Sequence, residues 1–238
     1  MKVDIWSDIR CPFCYIGKRK FEIALSRFPQ SDSVEVEWHS FELDPLLKTD
    51  TTIDVFDYLA KHKGQTRQWA VQMHRQVKEA GKEVGIDFNF DSMVIANSFN
   101  AHRLIQLAKK KNLGNSAEED LFRANFSSGK NIDDKDTLVE IGGEIGISSL
   151  EIKEMLNADA YVREVREEEH IAAKMGINGV PFFVLNNKYA LSGAQAPELF
   201  LSALDQAWNE HEKENPGLTG NTEVGKRCSE DETCNIQG

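Results

Sequence analysis

The sequence predicts an α/β fold in which a small sheet is interrupted by a long helical block. Strand-like apolar runs occur near residues 3–6 and 34–41 and return near residues 180–192. Strand patterns are absent between residues 46 and 175, where helical periodicity dominates. With 238 residues, the chain is long enough for one core and a substantial insertion.

The first strand ends just before two cysteines that open a helix. Cys11 and Cys14 follow the apolar run of residues 3–6, and a helical pattern continues beyond them. Pro12 suits a first helical turn, because its missing N–H would have lacked a partner there anyway. The unpaired amides and the helix dipole at this end favour a thiolate.

Two residues separate these cysteines, so their sulfurs can close into a small disulfide. We interpret Cys11 as the attacking thiolate and Cys14 as the resolving thiol. A zinc site is the alternative, but it needs two further ligands at suitable spacing. The remaining cysteines are Cys228 and Cys234, at the far end of the chain. The strand-to-helix setting therefore favours a redox dithiol.

Residues 7–19 resemble the active-site stretch of the DsbA-like thioredoxin-fold proteins, in particular the FrnE-type branch. The resemblance implies a thioredoxin-like fold, βαβ then ββα, with a helical subdomain inserted after the second strand. Arg10 departs from the family pattern, because relatives tend to have an apolar or small residue before the first cysteine. A cation at this position should stabilise the Cys11 thiolate further.

Residues 34–41 alternate between apolar and polar side chains, as in a half-buried strand. With the first strand and helix they complete a right-handed βαβ unit. No G-x-G-x-x-G sequence follows the first strand, which disfavours a dinucleotide site. We expect His39 to be a half-exposed strand residue, with a place in the active-site groove as the alternative.

The helical block contains several predicted boundaries. Its periodicity predicts a helix from about Ser92 to Lys111. Ser116 with Glu119, and Ser148 with Glu151, fit capping boxes that would each open another helix.

Residues 97–104 are similar to a helix motif shared by FrnE-like proteins and glutathione-dependent isomerases. Within it, Asn97, His102 and Arg103 are polar residues on an amphipathic helix. Such residues are usually solvent-facing or structural. We expect that here, with substrate contact as the alternative and no part in the thiol chemistry.

Two apolar runs around Asn186 and Asn187 predict a β-hairpin. The resemblance implies that the Val180–Pro181 bond before it is cis and packs against the dithiol, while the Val180 backbone pairs with an extended peptide. Pro12 and Phe13 complete the expected substrate-binding residues. The alternative is an ordinary trans proline at a strand start.

The predicted organisation has three parts. Residues 1–45 and 176–214 form the thioredoxin-like domain, closed by a helix that begins at Pro197. Residues 46–175 form the inserted helical subdomain. Residues 215–238 are polar and are expected to form a mobile tail.

Cys228 and Cys234 in this tail have five residues between them. They resemble the extra carboxy-terminal cysteine pair of some FrnE-like proteins, in which four residues are common. We expect this auxiliary pair to exchange disulfides with Cys11 and Cys14. A passive disulfide or an incidental metal clip are the alternatives.

Charge and hydropathy exclude several classes of partner. The net charge of −11 argues against a surface for nucleic acid or anionic membrane. No secretory signal and no apolar run long enough to span a bilayer is visible, which predicts a cytoplasmic protein. No metal or resident cofactor is expected, although glutathione is a candidate reactant.

These observations predict dithiol–disulfide exchange on protein substrates, with thioredoxin or glutathione as redox partner. Whether the reaction is oxidation, reduction or isomerisation stays open. The alternative is a glutathione-dependent isomerase of the 2-hydroxychromene-2-carboxylate type, although such enzymes typically carry Ser where this chain has Cys11. A third reading is a non-enzymatic, zinc-bound module that uses all four cysteines.

Overall fold

The computed structural model describes residues 1–215. Its strands are β1 (Lys2–Ser7), β2 (Glu35–Ser40), β3 (Phe182–Leu185) and β4 (Tyr189–Ser192). Its helices are α1 (Pro12–Arg27), α2 (Val55–Lys63), α3 (Arg67–Lys82), α4 (Phe99–Lys109), α5 (Gly114–Phe126), α6 (Lys135–Glu144), α7 (Ser149–Asn157), α8 (Val162–Lys174) and α9 (Pro197–Glu214). Within this part of the chain, no helix is long and apolar enough to cross a membrane. Apart from Asn215, the predicted tail of residues 215–238, with Cys228 and Cys234, lies outside the described residues.

The four strands form one mixed sheet in the order β2-β1-β3-β4. β1 pairs in parallel with β2 and antiparallel with β3, and β3 pairs antiparallel with β4. Helices α2 to α8 lie between β2 and β3 in the chain. The predicted thioredoxin-like βαβ–ββα sheet, with helices inserted after its second strand, is therefore confirmed. The residue limits of the two domains stay a prediction.

The β3–β4 hairpin turns at the predicted asparagines. Asn186 and Asn187 have φ angles of 52° and 57°. Two consecutive left-handed residues are typical of the tight turn that matches the twist of a hairpin, and asparagine tolerates this conformation. The register pairs Leu185 with Tyr189 directly across the turn.

One face of the sheet packs against α1 and α9. Phe21 of α1, Phe183 of β3 and Phe200 of α9 are almost completely buried there. The ring centroids of Phe183 and Phe200 are 4.6 Å apart in an edge-to-face arrangement. This apolar contact fixes α1, and with it the cysteines at its start, relative to the central strands.

A second hydrophobic core joins the start of α1 to the inserted helices. Cys11, Cys14, Tyr15 and Ile16 pack in the same buried cluster as residues of α4 to α7. The Tyr15 ring stacks on Phe122 of α5, with centroids 5.0 Å apart. The cysteine-bearing turn is thus held between the sheet and the helical insertion.

The helix predicted from about Ser92 to Lys111 begins later, at Phe99. The preceding segment is held by contacts with residues 49–50 instead. The amide of Asp50 donates to the Ile95 carbonyl at 2.8 Å, and the Asn97 amide donates to Thr49 Oγ1 at 2.9 Å. The prediction was wrong at this end because helical periodicity does not reveal a long-range backbone pairing.

The two predicted capping boxes do not form. Helix α5 starts at Gly114, so Ser116 lies inside its first turn, and Glu119 pairs with Lys18 and Arg19 of α1. Ser148 does precede the first residue of α7, but its side chain makes no capping hydrogen bond.

Candidate active site at the start of the first helix

Cys11 is the N-cap residue of α1, and Pro12 is its first helical residue. The Cys11 amide donates to the Asp8 carbonyl at 2.9 Å, and the Cys14 amide donates to the Cys11 carbonyl at 3.0 Å. Both thiols are free. The predicted placement of the cysteines at a strand-to-helix junction is therefore confirmed.

The two thiols differ in exposure. Cys14 is completely buried, whereas Cys11 keeps 6% of its surface exposed. Phe13 between them is half exposed, at 50%. Cys11 is more shielded than we expected for an attacking thiol, because it packs in the same cluster as Val55 and Val180. Of the two buried cysteines, the first is nevertheless the more exposed, which is the predicted order.

The loop before β3 lies directly against the first cysteine. The peptide bond between Val180 and Pro181 is cis, as the family resemblance implied. The Cys11 thiol donates to the Val180 carbonyl, with 3.5 Å between Sγ and O. The structure thus brings together residues that are far apart in the sequence. Their contact with substrate stays a prediction.

The second thiol lies in surroundings that oppose its ionisation. Burial raises the pKa of the Cys14 thiol well above its usual range, and the neighbouring Cys11 and the charge of Asp8 raise it further. The backbone amide of Asp8 acts in the opposite direction. Cys14 is therefore suited to remain a protonated thiol until a disulfide forms next to it.

Asp8 forms a buried ion pair with His102 of α4, and neither side chain is exposed. His102 Nε2 lies 3.6 Å from Asp8 Oδ1. The Asp8 carboxylate also accepts hydrogen bonds from the amides of Arg10, at 3.0 Å, and Leu43, at 2.8 Å. Burial would raise the pKa of Asp8, but His102 and these amides outweigh it and lower it. The pKa of His102 is raised in turn, so both directions favour the charged form of the pair.

Sequence reasoning gave Asp8 no role and left two environments open for the polar residues of the motif at residues 97–104. We expected polar residues of this helix to be solvent-facing or structural. His102 and Arg103 are both buried, and Arg103 Nε donates to the Ala160 carbonyl at 2.9 Å. Asn97 donates to the Leu47 carbonyl at 3.1 Å. Arg103 and Asn97 therefore have structural roles, whereas His102 faces the carboxylate of Asp8 beside the dithiol.

His39 lies in a charged network away from the dithiol. It is mostly buried, with Nε2 2.7 Å from Asp4 Oδ1 and Nδ1 3.1 Å from Glu168 Oε1. Its ring stacks on Trp6. Burial would lower the pKa of His39, but the two carboxylates outweigh it and raise it. The cleft beside His39 is lined by neither Cys11 nor Cys14. The contacts of His39 with Asp4 and Glu168 link β2 to β1 and α8.

Asp4, Glu37 and His39 form a cluster of three metal-type ligands in the described part of the chain, and it contains neither cysteine. Lys2 Nζ lies 2.8 Å from Asp4 and 2.6 Å from Glu37. These carboxylates therefore already have a cationic partner. The zinc-bound reading with four cysteines is not tested, because it requires residues outside the described part.

The chain shows clear similarity to known proteins. Residues 2–205 match the sequence model of the DSBA-like thioredoxin domain. The crystal structure of a probable DsbA oxidoreductase from Streptomyces coelicolor is 37% identical, covers 88% of this chain and 91% of its own, and superposes with a TM-score of 0.83.

Two more distant proteins extend this comparison. YwbO of Bacillus subtilis (strain 168), an uncharacterised protein, is 28% identical over 206 residues, which is 85% of this chain and 94% of the relative. A 2-hydroxychromene-2-carboxylate isomerase is 15% identical, with a TM-score of 0.66 over 90% of this chain and 98% of its own. At this identity, the second likeness shows the shared fold alone.

Proposed function

Because this chain belongs to the family of DSBA-like thioredoxin domains, we propose that it is a thiol–disulfide oxidoreductase that acts on protein substrates through Cys11 and Cys14. The observation that carries the proposal is the position of Cys11. It caps the amino terminus of α1 and its sulfur lies 3.5 Å from the Val180 carbonyl. First-turn amides without helical partners lie at this end of α1, and an extended peptide can pair with the adjacent backbone.

The reaction starts with attack by the Cys11 thiolate on a substrate disulfide. The substrate S–S bond breaks, a Cys11–substrate S–S bond forms, and one substrate sulfur leaves as a thiolate. Cys14 then displaces the second substrate sulfur and forms the Cys11–Cys14 disulfide. Two electrons have passed from the dithiol to the substrate. The reverse sequence oxidises a substrate dithiol.

Phe13 and Pro12 flank the reacting sulfurs and are part of the proposed substrate-binding surface, with Val180 and Pro181 opposite. The exposed ring of Phe13 offers an apolar contact to a protein segment.

Stabilising the Cys11 thiolate favours the reduced protein, while a reducing compartment favours free thiols as well. Whether the protein oxidises or reduces its substrates is therefore set by its redox partner. We propose thioredoxin or glutathione, in the cytoplasm, as that partner.

The auxiliary pair, Cys228 and Cys234, is proposed to exchange disulfides with the first dithiol. The proposal rests on the sequence resemblance, since both residues lie outside the described part of the chain. Changing both to Ser should slow the return of oxidised Cys11–Cys14 to its starting redox state. Unaltered turnover and unaltered redox recovery in this variant would remove the auxiliary pair from the mechanism.

The insulin assay tests the proposed function directly. The protein should accelerate the reduction of insulin by dithiothreitol, and Cys11→Ser should abolish the acceleration. Activity that survives this substitution would contradict the proposal. A protein that does not accelerate insulin reduction at all would instead favour the glutathione-dependent isomerase, whose fold this chain shares. Metal analysis of the purified protein checks the zinc-bound reading.

A further inference from the structure

His102 is a fully buried histidine for which the proposed thiol chemistry gives no reason. Among the described residues, neither of its ring nitrogens has a hydrogen-bond partner, and Asp8 is 3.6 Å away. Taking two charges out of water costs free energy that such a loose pair recovers poorly. Buried ionisable groups of this kind are concentrated at functional sites. The position of the pair next to the dithiol suggests what it does.

Asp8 connects this pair to both cysteines. Its carbonyl accepts the Cys11 amide, and its backbone amide and its charge both act on the Cys14 thiol. An uncompensated carboxylate at this place would oppose a second negative charge on Cys14. His102 supplies the compensating positive charge from α4, a helix of the insertion.

We propose that His102 is a positioning residue for the resolving step: it balances the charge of Asp8 and so permits the buried Cys14 thiol to ionise. The inference rests on the proposed function, because it assigns a role within that reaction. In the step concerned, the Cys14 S–H bond and the Cys11–substrate S–S bond break. The Cys11–Cys14 S–S bond forms, and the proton leaves with the substrate sulfur as a thiol.

Other charged groups also surround His102, although His102 is the cation that acts on Asp8. Burial would lower the pKa of His102, but Asp8, Glu118 and Glu42 outweigh it and raise it, so the imidazolium form is favoured. Glu118 of α5 has its pKa raised to about 7, mainly by burial, and Glu42 has a raised pKa for the same reason. The charged groups that face these two carboxylates are Lys18 of α1, Lys109 of α4, and Arg166 and Glu169 of α8.

A single-turnover reaction with dithiobis(nitrobenzoate) separates the two steps. The parent protein carries Cys228→Ser and Cys234→Ser, so that Cys11 and Cys14 are its remaining thiols. One equivalent of reagent should release thionitrobenzoate twice, first when Cys11 attacks and again when Cys14 resolves the mixed disulfide. Cys14→Ser should release it once.

His102→Gln keeps a hydrogen-bonding side chain but removes the charge. The first phase should be unchanged, and the second should slow about tenfold, because one pKa unit on Cys14 changes its thiolate population by that factor. In this variant burial still raises the pKa of Asp8, but the opposing imidazolium is gone. The deficit in the second phase should therefore widen as pH rises and Asp8 of the variant ionises. His74→Gln, which replaces a histidine of α3 bonded to the Ala70 carbonyl, is the matched control and should leave both phases unchanged.

The double variant Asp8→Asn/His102→Gln distinguishes charge balance from structural support. It carries neither charge, so its second phase should recover to within about threefold of the parent, a difference of less than one pKa unit. If both residues were merely structural, the losses would accumulate instead. Asp8→Asn alone removes the opposing anion, so its mixed disulfide should be resolved at least as fast as that of the parent. This comparison still tests the inference if His102→Gln does not fold.

Two failures are distinguishable. A parent protein that releases thionitrobenzoate only once contradicts the proposed function at Cys14. A parent that releases it twice, with a second phase that is equally fast in His102→Gln or slower in Asp8→Asn, overturns the inference about His102 and leaves the proposed function intact.

Discussion

Gly17 shows how tightly the loop before β3 is packed on the helix that carries the dithiol. A Cβ atom on Gly17 would lie 2.9 Å from Pro181 Cγ and 3.5 Å from the Phe183 ring. The first distance is shorter than real contacts allow. Glycine at this helical position therefore lets Pro181 approach α1, one turn beyond Cys14.

Gly17→Ala should destabilise the protein by about 1–3 kcal/mol through overpacking. It should also lower insulin-reductase activity, because Pro181 and the Val180 carbonyl must move relative to Cys11. Gly143→Ala is the matched control, since a Cβ atom there meets no atom within 4 Å. That change should be neutral or stabilising by up to about 1 kcal/mol, as alanine favours helix. Equal effects of the two substitutions in urea unfolding would contradict this packing account.

Sequence reasoning located the residues whose chemistry is local. Cys11, Pro12 and Cys14 are recognisable because a proline between two cysteines, after a strand, marks the first turn of a helix. The pair of Asp8 and His102 was not predictable in the same way, since it joins residues in different elements. The available signal was an aspartate placed directly after a buried strand, three residues before Cys11.

At the scale of elements, turn-forming residues such as Asn-Asn and Pro predicted the positions of turns and helix starts better than helical periodicity predicted helix boundaries. The β3–β4 hairpin and the start of α9 at Pro197 are where Asn-Asn and Pro place them. Helix α4 was predicted several residues too long, because the Ile95 carbonyl pairs with the Asp50 amide across the insertion. The capping box expected at α5 did not form, and its Glu119 pairs with cations of α1 instead. At α7, Ser148 precedes the helix but makes no capping hydrogen bond.

The inserted helices contribute to the site as well as to the core. Helix α4 supplies His102, and α5 supplies Glu118 and the aromatic surface on which Tyr15 stacks. The first turn of α1 is thus fixed from two sides. The division into a thioredoxin-like part and a helical part describes the chain order, whereas the candidate site belongs to both.

At the scale of the whole molecule, buried ionisable groups predict a pH dependence of stability. His39, His102 and Glu118 have raised pKa values in the folded protein. Groups of this kind stabilise the fold fully below their unfolded pKa, about 6.5 for His and 4.3 for Glu. Their contribution is lost as pH rises through the folded pKa.

Asp8 and Glu168 act in the opposite direction. The cationic partners of Glu168 outweigh burial and lower its pKa to about 2, and the pKa of Asp8 is lowered as well. Their contribution is present above the unfolded values, about 3.9 and 4.3, and is lost as pH falls through the folded ones. Stability should therefore be greatest at mildly acidic pH and should decline on both sides.

Urea unfolding over a pH series measures this directly. The free energy of unfolding should fall over the interval above about pH 6.5, the unfolded pKa of histidine, because the folded histidines have raised pKa values and lose their protons there. His39→Gln should flatten this alkaline decline, because it removes one of the contributing groups. A free energy of unfolding that rises across the same interval would show that these groups are not charged as the structure indicates.

The central claim is that Cys11 attacks and Cys14 resolves, and trapping the mixed disulfide tests it most directly. In the parent that carries Cys228→Ser and Cys234→Ser, Cys14→Ser should accumulate a covalent adduct with an oxidised protein substrate at Cys11, which intact-mass measurement and peptide mapping would locate. The adduct should be absent from Cys11→Ser and should disappear on reduction. An adduct at Cys14 in the Cys11→Ser variant, or none in Cys14→Ser, would contradict the account.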